Sequence, residues 1–145
     1  MANDTYALPA PLQRTVASWR TAFASGDPAS LRPLLAESAV YYSPGVFSPV
    51  VGRDATLNVL GTVWRLLESF TDGRTYVAGP SDVCLEFGAV FRKSPLKGVS
   101  LLRMANDGLV TELEVMLRPV PTLMRLAESV GTQVGPALLD LKLKS

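Results

Sequence analysis

The stretch that decides the fold covers residues 23–60 and reads FASGDPASLRPLLAESAVYYSPGVFSPVVGRDATLNVL. Gly26-Asp27 ends one helical segment, and residues 31–35, which are apolar except for Arg32, lie in a second short helix. Residues 40–42 are β-branched and aromatic and therefore predict a strand. A loop rich in proline follows, and Gly52-Arg53-Asp54 opens a third helix. This stretch therefore predicts two short helical segments, a strand, a loop and a longer helix, in that order.

The spacing of hydrophobic residues extends this pattern to both ends of the chain. Segments with helical periodicity predict four helices, which cover residues 12–26, 29–36, 53–69 and 123–130. Extended segments predict five strands, which cover residues 40–42, 74–78, 83–92, 97–105 and 109–117. Asn106-Asp107-Gly108 predicts a hairpin turn between the last two strands. Gly131 is expected to end the fourth helix, and residues 135–141 are expected to form one more short helix.

Three helices followed by a series of antiparallel strands indicate an α+β protein. We predict a strongly curved antiparallel sheet that wraps around the three N-terminal helices as a cone, with a C-terminal helix added. The open end of such a cone is a pocket. A ferredoxin-like sandwich would alternate helices and strands, which this chain does not do. The predicted organisation is a loose lead at residues 1–11, one domain at 12–118 and a helical extension at 119–145.

Composition excludes several functional classes. The 14 basic and 13 acidic residues of the 145 are spread along the chain, so no basic stripe suggests nucleic acid binding. The chain has one cysteine and no histidine, which excludes a Ser-His-Asp triad and a histidine metal site. No leader or membrane span is apparent, and we expect a cytoplasmic protein without cofactor or metal. With 48% hydrophobic residues, the chain also suggests a subunit interface or an apolar cavity.

The order of helices, strand and turns in residues 23–60 resembles the N-terminal part of the nuclear transport factor 2-like fold. The strand and turn Val40-Tyr41-Tyr42-Ser43-Pro44 and the final strand Glu114-Val115-Met116-Leu117-Arg118-Pro119 are similar to those of uncharacterised bacterial SnoaL-like proteins. The resemblance covers residues 12–118 and includes the ketosteroid isomerase-like branch. It implies a fold but no particular reaction, because proteins with that fold carry out many unrelated activities.

The ketosteroid isomerases of this superfamily combine three side chains. A tyrosine on the first helix donates to the oxyanion, a carboxylate after the first strand is the general base, and a neutral carboxyl on a later strand is a second donor. The corresponding positions of this chain hold Trp19, Ser43 and Ser100. A serine hydroxyl does not remove a carbon-bound proton near neutral pH. The resemblance therefore implies a pocket without the isomerase chemistry.

A second kind of chemistry is implied by limonene epoxide hydrolase-like members, which use carboxylates and an arginine to activate water. The carboxylates of this chain that are left for such work are Glu86, Glu112 and Glu114, and their candidate partners are Arg92, Arg103 and Arg118. Strand alternation places Glu86 on one face and Phe87 on the other, and either face is able to line the cavity. We name Tyr42, Glu86 and Glu112 as candidate catalytic residues. The alternative is that the glutamates form ion pairs on an outer sheet face.

We predict a homodimer, formed through the sheet, with an apolar pocket for a small polyketide-, steroid- or terpenoid-like molecule. The expected pocket residues are Trp19, Tyr42, Ser43, Phe47, Trp64, Phe87, Ser100 and Leu102. Tyr41 and Tyr42 point to opposite sides of a regular strand, so one of them faces away. Binding alone is the first functional hypothesis. The alternatives are a cofactor-free hydrolase, cyclase or isomerase that uses a glutamate with Tyr42, and a structural dimerisation module with a filled cavity.

Overall fold

The computed structural model describes residues 8–134 of the chain. Within them lie three α-helices, which are α1 (Ala10–Ser25), α2 (Arg53–Leu66) and α3 (Val120–Val134). A 3-10 helix covers Pro28–Leu34. The strands are β1 (Leu35–Tyr42), β2 (Val50–Val51), β3 (Glu68–Ala78), β4 (Asp82–Phe91), β5 (Ser94–Met104) and β6 (Val110–Arg118).

The six strands form one curved, unclosed sheet in the order β2-β1-β6-β5-β4-β3. The α+β class and the cone-like wrapping of the sheet around the helices are confirmed, although the sheet does not close into a barrel. One pair departs from the expected antiparallel pattern, since β1 and β6 run parallel. Tyr41 lies opposite Leu113 in that pair. The first long strand is therefore joined to the last one, and both lie inside the sheet.

The second predicted helix is shorter and tighter than expected. Asp27 caps it, because its Oδ1 accepts a hydrogen bond from the Ala29 amide at 3.1 Å. Pro33 lies inside it, and a proline there removes a backbone donor and clashes with the preceding turn of an α-helix. The segment consequently forms a 3-10 helix that ends at Leu34, and the predicted end at Ala36 is wrong because β1 already begins at Leu35.

Three other boundaries differ from the prediction. The helix expected to reach residue 69 ends at Leu66, and β3 starts at Glu68 rather than at residue 74. Most residues of β3 are exposed, as suits the last strand at the edge of the sheet, so this strand lacks the hydrophobic alternation that marks a half-buried one. Gly131 does not end α3, which continues to Val134.

The turn between β5 and β6 is confirmed and also anchors the first helix. Gly108 has φ +91°, a conformation that favours glycine. The Thr15 hydroxyl of α1 donates a buried hydrogen bond of 2.6 Å to the Gly108 carbonyl. The turn therefore fixes one end of α1 against the sheet.

The core lies between the helices and one face of the sheet. On β4 the residues alternate strictly, and Val83, Leu85, Phe87, Ala89 and Phe91 are buried. This inner face meets the ring of Phe23 from α1, which lies 5.0 Å from the Phe87 ring and 5.4 Å from the Trp64 ring, both edge to face. The opposite face of the sheet, which we call the outer face, carries Cys84 and Glu86.

No helix within residues 8–134 is long and apolar enough to cross a membrane. The short helix expected at residues 135–141 and most of the N-terminal lead lie outside the described residues. The domain limits at residues 11 and 118 stay a prediction.

Candidate ligand cavity

A cavity of about 60 Å³ lies between the helices and the inner face of the sheet. Helix α1 contributes Trp19 and Phe23 to its wall, and α2 contributes Leu60, Val63 and Trp64 among others. The sheet side consists of inward-facing residues of β1, β4, β5 and β6, which include Tyr41, Phe87, Ser100, Leu113, Val115 and Leu117. The wall is therefore built by elements from nearly the whole described chain.

Helix α3 closes the cavity. Its residues Leu123, Leu126, Ala127 and Val130 complete the wall, and these positions repeat at the three- and four-residue spacing of one helix face. The opposite face of α3 includes Met124, which is 65% exposed. The loop after β1 also touches α3, since a Cβ at Gly45 would lie 3.3 Å from the Ala127 Cβ. An amphipathic helix thus covers the end that the sheet leaves open.

The lining is apolar apart from a few neutral polar groups. Within the described part of the chain, no aspartate, glutamate, lysine or arginine lines the cavity. The neutral polar groups come from the side chains of Trp19, Tyr41, Ser43, Trp64 and Ser100. Burial raises the pKa of the Tyr41 phenol far above its ordinary value, because the phenolate would be desolvated. The site therefore offers neutral hydrogen-bonding groups and no ion partner.

The structure brings five of the predicted pocket residues to this cavity, and they are Trp19, Ser43, Trp64, Phe87 and Ser100. Trp19, Ser43 and Ser100, which the family resemblance places at the isomerase positions, are among them and lie around one space, although none of them is an acid. Leu102 is buried in the core but does not line the cavity. Phe47 is 89% exposed in the loop between β1 and β2.

Tyr42 lies on the other side of β1 from Tyr41. It lines a surface groove of about 740 Å³ together with Phe47, Glu114 and Met116. Tyr41, in contrast, is 1% exposed and faces the cavity. The two tyrosines thus lie on opposite sides of β1, as strand alternation requires, and the inward one is Tyr41 rather than Tyr42, the tyrosine expected to line the pocket.

The candidate catalytic residue Glu86 lies on the outer face, in an ion pair. Its carboxylate accepts two hydrogen bonds from the Arg74 guanidinium, at 2.8 and 2.9 Å, and one from the Arg74 amide at 3.0 Å. Chiefly because of these hydrogen bonds, the pKa of Glu86 falls to about 2. Such a carboxylate stays ionised at neutral pH and has a partner already, which is typical of a structural ion pair.

Glu112 also lies outside the cavity. Arg103 stands between two carboxylates, with its Nε 3.2 Å from Asp82 Oδ1 and its Nη1 3.6 Å from Glu112 Oε2. The hydrogen bond and the charge of Asp82, followed by the charge of Glu112, raise the pKa of Arg103. The structure does not bring Tyr42, Glu86 and Glu112 together at one cavity.

The predicted pocket residues leave out most of the wall, including Tyr41 and all the cavity residues of α3. Tyr41 has the same chemical signature as Tyr42, and only the position of the helices tells which of them is covered. The cavity residues of α3 lie in the segment expected to form a C-terminal extension. Their spacing does predict an apolar helix face, and this signal suggests that α3 packs against the domain.

A mixed sheet wrapped around helices, with an apolar cavity on its concave face, defines a nuclear transport factor 2-like protein. The family model of the SnoaL-like domain matches residues 16–113, and the chain belongs to this SnoaL-like family. No curated protein is significantly similar to the chain.

Solved structures support this assignment. A steroid delta-isomerase from Pseudomonas aeruginosa is 32% identical, with a TM-score of 0.83 and coverage of 91% of this chain and 97% of that one. An uncharacterised protein with a cystatin-like fold from Silicibacter pomeroyi is 26% identical, with a TM-score of 0.80 and coverage of 93% and 96%. A protein with a ketosteroid isomerase-like fold from Catenulispora acidiphila shares the fold at 19% identity, with a TM-score of 0.60 and coverage of 79% and 92%.

Proposed function

We propose that the protein binds a small, uncharged and mostly apolar molecule in the cavity under α3. The observation that carries this proposal is the composition of the wall, which is apolar, lacks charged side chains and holds several neutral polar groups. Small-molecule sites typically combine such an apolar lining with a few placed polar groups. The predicted polyketide-, steroid- or terpenoid-like ligands belong to this chemical class.

The size of the cavity sets a condition on larger ligands. Pockets that enclose a drug-sized molecule measure roughly 300–1,000 Å³, whereas this cavity measures about 60 Å³. A molecule with several fused rings therefore requires the wall to move. Helix α3 is the element suited to this movement, because it covers the open end of the cone and its outer side faces solvent.

An isomerase is the enzyme alternative that the Pseudomonas aeruginosa protein suggests. Moving a double bond in a steroid requires a base that takes a carbon-bound proton. Ser43 and Ser100 line the cavity, and the family resemblance places them where the isomerases carry carboxyl groups. The alternative that uses Tyr42 with Glu86 or Glu112 requires these groups on the cavity, and all three lie on the outer face. Binding without catalysis is therefore the function that the site supports best.

Intrinsic fluorescence offers a direct test of binding. The chain contains 2 tryptophans, and both Trp19 and Trp64 line the cavity. Titration with uncharged cyclic ketones, from cyclopentanone to a four-ring steroid ketone, should change the emission saturably for at least one size class. Ala127→Leu extends a side chain from α3 into the cavity and should abolish this change. Ala24→Leu, at an exposed position of α1, should leave it intact.

Two outcomes would contradict the proposal. If no ketone gives a saturable change while Ala127→Leu stabilises the fold, the cavity is a packing void, and the protein fits the alternative of a structural module. If Glu86→Gln or Glu112→Gln abolishes turnover of an epoxide or of an unsaturated ketone that the native protein converts, the enzyme alternative is correct.

We further propose that the protein is a homodimer formed through the outer face of the sheet and acts in the cytoplasm. The outer face carries Met116 and Tyr76, which are 49% and 47% exposed, and the half-buried Val99 and Leu101. Sedimentation should give twice the mass of one chain. Leu101→Glu should halve that mass, whereas Met124→Glu, on the exposed side of α3, should not. A monomeric native protein would contradict the dimer.

A further inference from the structure

We propose that the Tyr41 hydroxyl is the hydrogen-bond donor that selects the ligand, and that this ligand carries an acceptor oxygen, as in a ketone or a cyclic ether. The inference rests on the proposed function, because it assigns chemistry to the same cavity.

Tyr41 is 1% exposed, and its hydroxyl has no hydrogen-bond partner among residues 8–134. No hydrogen bond, ion pair or ring contact within these residues uses the Tyr41 side chain. The buried polar atoms sealed without a partner in the same residues are Arg53 Nε, Thr56 Oγ1 and Thr75 Oγ1. The Tyr41 hydroxyl also lacks a partner but is not sealed in this way, so it retains contact with open space. Tyr41 lines the cavity, which provides such space. A buried tyrosine hydroxyl usually has a hydrogen-bond partner.

The indole of Trp19 strengthens the preference for an acceptor. Trp19 is 3% exposed, lines the same cavity, and makes no hydrogen bond within the described residues. An indole N–H is only a donor, and a tyrosine that keeps its proton also donates. A ligand oxygen that accepts is therefore a complementary group, whereas an ammonium, which has no acceptor, leaves these donors unpaired.

Strand register places the donor at one side of the site. Tyr41 is opposite Leu113, and Ser100 is opposite Val115 two residues further along β6. Tyr41 and Ser100 therefore both lie on the inner face, on the two strands that flank β6, and they are offset by two residues along β6. A ligand oxygen at Tyr41 leaves the apolar part of the molecule to contact Val115 and the helices.

The volume of the cavity, about 60 Å³, determines how large a probe molecule fits without movement of the wall. A water-sized group occupies roughly 10–15 Å³ of such volume, so about four to six heavy atoms fit without movement of the wall. Cyclopentanone is a ketone of this size. Methylenecyclopentane has almost the same shape but carries a CH₂ group in place of the oxygen, and it is the matched hydrocarbon.

The test compares both probes on the native protein and on single variants, by tryptophan fluorescence and ligand-observed NMR. Tyr41→Phe should weaken cyclopentanone binding about five- to tenfold, the usual effect of one lost hydrogen bond, and change methylenecyclopentane binding less than twofold. Tyr76→Phe, on the outer face of β3 and away from the cavity, should change neither affinity. The infrared carbonyl band of bound cyclopentanone should lie at lower frequency in the native protein than in Tyr41→Phe.

The outcomes separate the two proposals. If neither probe nor any larger ketone binds the native protein, the proposed function itself fails. If both probes bind but Tyr41→Phe weakens them equally or not at all, binding stands and the role of Tyr41 is overturned. A loss of ketone affinity in Tyr42→Phe instead also overturns it. Should Tyr41→Phe not fold, the native protein alone decides: a bound carbonyl band at its frequency in hydrocarbon solvent refutes the hydrogen bond.

Discussion

Replacing Leu126 by alanine tests whether α3 is an integral wall of the cavity. Leu126 is 2% exposed and lines the cavity from the covered face of α3. A buried Leu→Ala change costs roughly 2–5 kcal/mol, part of it from the space left behind. Because Leu126 already borders a cavity and so has fewer contacts to lose, we expect the lower half of this range, about 2–3 kcal/mol.

The assay is urea unfolding, followed by tryptophan fluorescence and by circular dichroism. For a domain of this size, the loss corresponds to a decrease in melting temperature of about 8–12 °C. Met124→Ala is the matched control, because it truncates a side chain of similar size on the same helix at a position that is 65% exposed. It should change the free energy of unfolding by less than about 0.5 kcal/mol.

Equal effects of the two substitutions would refute this account. A loss below about 0.5 kcal/mol for Leu126→Ala would mean that α3 does not pack on the domain in solution. The cavity would then be an open cleft, and larger ligands would enter it without any movement of α3.

Three further predictions concern charge, space and ionisation. The folded-state pKa of Glu86 is about 2 and lies below its unfolded value. The pairing of Glu86 with Arg74 therefore stabilises the fold above about pH 4.5, and this stabilisation is lost as the pH falls towards 2. Arg74→Met should flatten this part of a plot of unfolding free energy against pH. Gly98→Ala should destabilise by about 1–3 kcal/mol or prevent folding, because its Cβ would lie 2.5 Å from Leu117 Cδ2; unchanged thermal unfolding would contradict this contact. Because the pKa of Tyr41 is raised in the folded state, the stability of the native protein should fall more steeply than that of Tyr41→Phe above about pH 10, as urea titrations at each pH would show.

Local chemistry made much of the fold predictable. The turn at residues 106–108 and the long helix after Gly52 follow from residue preferences that tertiary contacts do not override. The start of β3 was not predictable in this way, because an edge strand with polar residues on both sides has no hydrophobic period to detect. Pro33 was a usable signal that the second helix would not be a regular α-helix.

The site was less predictable than the fold, for a geometrical reason. Alternation along β1 places the side chains of Tyr41 and Tyr42 on opposite faces of the sheet, but it does not determine which face is covered by the helices. The same ambiguity applies to Glu86 and Phe87 on β4, where the structure turns Phe87 inward. Trp19, Ser43 and Ser100 were located through the family resemblance, because equivalent positions in one fold converge even when their chemistry has changed.

The parallel pairing of β1 with β6 makes the cavity a property of the whole chain. Tyr41 lies on the block formed by β2 and β1, whereas Ser100 lies on the block formed by β5, β4 and β3, and β6 is the strand that joins them. A chain that ends before Val110 contains both residues but nothing in the sheet to hold them at a fixed separation. Such contacts between distant segments form only after the entropy of closing a long loop has been overcome. The cavity and the complete sheet should therefore appear together, late in folding.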